Sequence, residues 1–173
     1  ALYERPCGLP FELPYSGEAF AMNLLDLLRD PLFRSVLLVF WLLPCAIQDR
    51  RTRRISNWLT VPLFLVAWPA SLVLHTSLFT FATFAGFWLA FHLVAGGMGG
   101  ADGKIATGVA ALAPAALLAG FTICGLVFCV RRLSGETDVR LPGAVGFYLG
   151  VVVTFLALVL QNQTFSASGN LIG

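Results

Sequence analysis

Apolar residues run through this chain in long blocks rather than in alternating stripes. Blocks at about 32–48, 56–74, 78–94, 105–130 and 143–160 are separated by short polar segments. About 17 to 25 apolar residues, at about 1.5 Å of helical rise each, match the hydrocarbon thickness of a bilayer. A helix satisfies its own backbone within one such segment. The pattern therefore predicts an all-α polytopic membrane protein. Residues 1–18 show no periodicity and read as a loop or arm. In 19–30, Phe20, Leu24, Leu27 and Leu28 share one helical face and Asn23, Asp26 and Asp30 lie elsewhere. That suits an amphipathic helix on the membrane surface, or an extension of the first span. The expected plan is an arm over 1–30, a membrane domain over 31–161 and a polar tail over 162–173.

Proline and charge refine the count of spans. Pro44 lies inside the first block, Pro62 and Pro69 inside the second, and a tight turn is expected at His75-Thr76-Ser77. The block 105–130 reads in two ways. It is long enough for one tilted span, or Ala113-Pro114 breaks it into a short helix and a fuller one. Lys and Arg mark cytoplasmic loops. Arg50, Arg51, Arg53 and Arg54 form the most basic segment and place the end of the first span inside. A single span over 105–130 would then put Arg131, Arg132 and Arg140 outside; a broken hairpin keeps them inside. Charge favours the hairpin: about six membrane helices, one of them short, with both chain ends outside. Arg34, near the outer end of the first span, is placed to snorkel to headgroups.

Composition agrees. The chain is 58% apolar and 12% charged, whereas a soluble domain carries about a quarter charged residues. A net charge of +2 gives no argument for nucleic acid. Cys7, Cys45, Cys124 and Cys129 form no Cys-x-x-Cys pair, so no metal site is expected. Cys45, Cys124 and Cys129 read as small buried hydrophobes. His92 reads as a buried, hydrogen-bonded histidine, and the four tryptophans as packing or interfacial residues. Gly86, Gly108, Gly120, Gly125, Gly146 and Gly150 suit close helix packing.

The segment 96–104 breaks this apolar monotony. It holds five glycines, Asp102 and Lys104. A carboxylate at the end of a membrane segment is a functional candidate, and glycine lets a chain bend and another backbone come close. The segment is expected to be a site loop preceding a helix. Asp49, at the end of the first span, falls at the same inner depth. Two adjacent carboxylates share a proton, so one can deprotonate water while the other protonates a carbonyl oxygen, as in aspartic proteases. Which would be the base is not readable. The plainer alternatives are an Asp49 paired with its arginines and an Asp102 that caps the following helix. At the level of the whole chain, the alternatives are a small transporter or channel subunit, or a non-enzymatic scaffold.

Two segments resemble the signatures of the type IV prepilin peptidases. Asp49-Arg50-Arg51-Thr52-Arg53-Arg54-Ile55-Ser56-Asn57-Trp58-Leu59 resembles the first: an aspartate, a basic stretch, then Ile-Pro-Asn before the second span. Gly99-Gly100-Ala101-Asp102-Gly103-Lys104 resembles the second, Gly-x-Gly-Asp-x-Lys. Ser56 stands where proline is usual, and Ala101 where the second glycine is. Pro142 is similar to a proline at the family's entry to its last helix. The resemblance spans about residues 32–160. It implies an intramembrane aspartic endopeptidase of the GxGD class, with a six-helix core, Asp49 and Asp102 as the catalytic pair, and no cofactor. It implies precursors of pilins, pseudopilins or archaeal flagellins as substrates, cut between a short basic leader and an apolar helix at the cytoplasmic membrane edge. Larger members carry a Cys-x-x-Cys insert linked to methyl transfer; it is missing here, as in the short forms, and methyl transfer is not expected. Gly99, Gly100, Ala101, Gly103 and Lys104 would form the loop along which substrate approaches; Lys104 would orient the loop or hold Asp102 ionised, the alternative being that it snorkels to lipid phosphate. Asn57 is read as a helix cap that could also support the pair. Arg50, Arg51, Arg53 and Arg54 are assigned to topology and anionic lipid.

Overall fold

Asp30 opens the first long helix, α1 (Pro31–Thr52). Its carboxylate accepts the Leu32 N–H at 2.9 Å, and Pro31 occupies the first helical position, where no N–H is needed. A computed structural model describes residues 25–93, 100–135 and 143–169. Residues 25–29 form a helical turn before α1; the rest of the expected arm lies outside the described residues. Pro44 is carried inside α1, which ends at Arg53 with φ 52°. The Arg53 N–H closes back on the Asp49 carbonyl at 2.9 Å, so Asp49 sits in the last turn. The linker to α2 (Asn57–Val73) is pinned by Gln48, whose Oε1 accepts the Ser56 N–H at 3.0 Å. Ser56 caps α2 through its hydroxyl, 3.3 Å from the Trp58 N–H. Serine is a strong N-cap, which gives a physical reason for serine where proline is usual.

The turn at His75 has φ 56° and leads into α3 (Ser77–Leu93). The helix α4 (Gly100–Leu112) follows, then α5 (Pro114–Leu133) and α6 (Gly143–Gly169). Ala113 is non-helical, with φ −149° and ψ 76°, and Pro114 starts α5. Of the two readings of 105–130, the chain adopts the broken hairpin. The long helices Pro31–Thr52, Pro114–Leu133 and Gly143–Thr164 are apolar and long enough to cross a bilayer, with Asn57–Val73 and Ser77–Leu93 as shorter apolar helices. Less than a third of each long helix is buried inside the protein. Large apolar side chains such as Phe40, Leu65, Leu78 and Leu126 face outward, as lipid-facing positions must. The protein is thus an all-α polytopic membrane protein. The last helix continues well beyond residue 160, further than the hydropathy block, because a polar sequence can extend a helix once it leaves the apolar layer.

The short helix is the centre of the bundle. Every residue of α4 from Ile105 to Leu112 is buried, and α4 packs on all five other helices. Its small residues Ala106, Gly108, Ala110 and Ala111 permit that crowding. At 13 residues, about 20 Å, it is too short to span. Its final carbonyls therefore end inside the protein, where unpaired groups are costly. Arg34 Nη1 donates to the Leu112 carbonyl at 2.7 Å, and Thr76 Oγ1 to the Ala111 carbonyl at 2.8 Å. Arg34 does not simply snorkel outward: its cation complements the negative end of the buried helix. Arg34→Leu is expected to destabilise the protein by about 1–3 kcal/mol, the cost of one stranded buried carbonyl. Thermal unfolding in detergent reads that loss, and an unchanged melting temperature would contradict the capping role.

Other expectations are corrected. Among the three described cysteines, only Cys45 is buried; Cys124 is half-buried against Gly146 of α6, and Cys129 is exposed near the end of α5. His92 is also exposed, and it lies against the rings of Trp88 and Phe91, with centroids 4.4 and 5.7 Å away. It falls in the last turn of α3, where that helix has left the packed core.

Candidate active site

Asp49 and Asp102 come from different helices and meet a third. Asp49 ends α1 and is 8% exposed. Its Oδ2 accepts the Ala144 N–H, the second residue of α6, at 3.2 Å. Asp102 lies in the first turn of α4, and its carboxylate fills the space beside Gly143, the first residue of α6. A Cβ built on Gly143 would stand 2.8 Å from Asp102 Oδ1 and 2.9 Å from its Cγ. Both carboxylates thus converge on one helix N-terminus. They also interact with each other. Burial, and secondarily the charge of Asp49, push Asp102 up to about 6. Asp102 lies outside the three spanning helices and still gives up its proton reluctantly.

The expected loop is partly helix. Gly100, Ala101, Asp102, Gly103 and Lys104 form the first turn of α4; Gly99 and the rest of 94–99 lie outside the described residues. The turn continues directly into the fully buried stretch Ile105–Leu112, whose packing carries it into helix despite its glycines. Ala101 is helical, with no positive φ, so alanine in place of the usual glycine carries no backbone strain. Asn57 does not cap α2, since Ser56 already does. Its Oδ1 instead accepts from Lys104 Nζ at 3.0 Å, tying the start of α2 to the start of α4. Among the described residues Lys104 forms no ion pair with Asp102.

Arg50, Arg51, Arg53 and Arg54 are at the Asp49 end, on the rim and away from the buried core. Arg131 and Arg132 close α5 at this same end, because α5 runs antiparallel to α4. Arg29 and Arg34 belong to the opposite end, near the start of α1.

A cavity of about 200 Å³ opens beside Asp102's turn. Phe64, Phe84, Phe87, Trp88 and Phe91 line it, with Gly100, Gly103 and Lys104 at its polar side. Phe87 stacks on Phe121, and both meet Phe147 edge to face, with centroids 5.4–6.4 Å apart. The cavity is therefore mostly aromatic, and its polar edge is the same first turn of α4 that carries Asp102. Gly143 and Ala144 were not singled out from sequence. The Ala144 contact is made by a backbone N–H and leaves no residue signature; the only sign at Gly143 is a glycine directly after Pro142 at the start of an apolar block.

A helical membrane bundle with two acids gathered at one helix end defines a membrane protein with a carboxylate site. Residues 36–130 match the type IV leader peptidase family. The match takes in both aspartates and more than half the chain, and the protein belongs to that family. No curated protein and no solved structure matches the chain closely enough to add to this.

Proposed function

We propose that this protein is an aspartic endopeptidase of the cell membrane that removes the short basic leader from type IV prepilin-like precursors. The observation that carries this reading is the convergence of Asp49 and Asp102 on the first turn of α6, in a chain of the leader peptidase family. Asp49 serves as the base. Its Oδ2 is held by the Ala144 N–H at 3.2 Å, which fixes the carboxylate at the same helix turn as Asp102. Asp102, buried and facing Asp49, holds the proton. Asp49 takes a proton from water as the oxygen attacks the scissile carbonyl, and Asp102 gives its proton to the carbonyl oxygen. Collapse of the tetrahedral intermediate breaks the C–N bond, and the proton on Asp49 passes to the leaving amine. The oxygen's proton returns to Asp102, so the pair is regenerated. No metal or other cofactor enters these steps.

Geometry also supports the substrate class. A helical substrate hides its carbonyls in its own hydrogen bonds, so cleavage needs an extended segment. The glycine-bearing start of α4 leaves room for one beside the aromatic cavity, which suits apolar side chains of the precursor's helix. The excess of Arg and Lys at the Asp49 end supports a cytoplasmic site by the positive-inside rule. Membranes carrying the protein are to be given precursors with a basic leader before an apolar helix, and the same helices without the leader. A single cut at the leader junction is expected. Correctly inserted protein that cuts none of a panel of pilin-, pseudopilin- and flagellin-like precursors would overturn the proposal.

The pH profile follows from Asp102. Its proton is needed in the free enzyme and is held below about pH 6, so kcat/KM is expected to fall about tenfold per unit as pH rises beyond that. Full protonation of both acids removes the base and gives the acidic limb. A rate that stays flat from pH 5 to 8 would contradict a shared proton.

A further inference from the structure

Three glycines on one face of α6 meet three different kinds of neighbour. A Cβ on Gly150 would strike backbone atoms of Ala116 and Gly120. On Gly146 it would strike the Cys124 sulfur. On Gly143 its three nearest neighbours would all be atoms of the Asp102 carboxylate, at 2.8–3.1 Å. The first two glycines let α5 and α6 pack. The third does not separate helix from helix; it borders a rotatable side-chain end. A methyl group there is relieved by moving that end, so the fold has little reason to fail and the carboxylate has every reason to shift.

We propose that Gly143 is a positioning residue for the reaction, its missing side chain setting where the Asp102 carboxylate stands relative to Asp49. This rests on the peptidase reading above. The next residue along α6, Ala144, holds Asp49 through its N–H. The first turn of α6 therefore fixes both acids at once, one by a hydrogen bond and one by a space only glycine leaves open. A misplacement well under an ångström matters at such a site, because the two carboxylates must face the same water and the same carbonyl. The charged and titratable groups that face Asp102 are Asp49 on α1 and Cys124 on α5. Lys104, on Asp102's own helix, is engaged by Asn57.

The test is Gly143→Ala in the full chain, with Gly86→Ala as control, since a Cβ at Gly86 meets nothing within 4 Å. Precursor cleavage, thermal unfolding and an infrared titration of the buried carboxyls are measured together. The expected result for Gly143→Ala is a loss in kcat on the order of 10- to 100-fold. Its melting temperature is retained, and the Asp102 titration moves upward as the added methyl excludes water. Gly86→Ala behaves as wild type in all three. Wild-type cleavage and titration in Gly143→Ala would overturn the proposal, and so would a loss of cleavage that only tracks a loss of folding. If the wild type cuts no precursor while the titration still moves in Gly143→Ala, the peptidase reading fails and the control of Asp102 by Gly143 stands.

Discussion

Asp49→Asn and Asp102→Asn are each expected to cut cleavage by roughly 100- to 10,000-fold, the range in which positioned acid–base groups act. Each variant should still insert and fold. Asparagine keeps the size of aspartate, and its Oδ1 can still accept the Ala144 N–H that Asp49 accepts at 3.2 Å. What it loses is the capacity to take or hand over a proton. The two acids act as one unit, so the double variant should be no worse than the poorer single one. A precursor cleavage assay on membranes with matched protein levels reads all three. Near-wild-type cleavage by either single variant would remove that aspartate from the chemistry.

Gly150→Leu is expected to have the largest effect on folding. A Cβ there collides with the Ala116 carbonyl and the Gly120 backbone, and neither can rotate away. The whole of α6 must then move off α5, taking Gly143 and Ala144 away from the aspartates. Overpacking in tight interiors costs about 1–3 kcal/mol, sometimes more, and a backbone obstacle lies at the severe end. The same change at Gly125, where nothing lies within 4 Å, should be nearly neutral. Size-exclusion profiles and melting temperatures in detergent compare them. Equal stability of the two variants would contradict the backbone contact between α5 and α6.

Much of this arrangement is legible in the sequence because hydrocarbon imposes strict terms. The apolar blocks give the helices, Ala113-Pro114 gives the break after α4, and the arginines fix which helix ends lie together. Asp49 and Asp102 stand out because charge is rare beside such blocks. Sequence fails where contacts depend on backbone or on distant partners. The turn Gly100–Lys104 reads as loop from its glycines, yet burial of α4 on all sides carries it into helix. Arg34 reads as a headgroup contact; its role at the Leu112 carbonyl depends on α4 stopping inside the bundle. The role of Gly143 is visible only once α4 is set against α6.

The most direct measurement is hydrolysis by the purified protein alone, reconstituted in liposomes with one leader-bearing precursor, the products weighed by mass spectrometry. The prediction is two fragments whose masses sum to that of the precursor plus one water, from a single cut at the leader junction, formed without added metal or nucleotide and lost in Asp49→Asn and Asp102→Asn. Intact precursor after incubation with folded wild-type protein, or fragments that persist in both variants, would contradict an aspartic peptidase centred on Asp49 and Asp102.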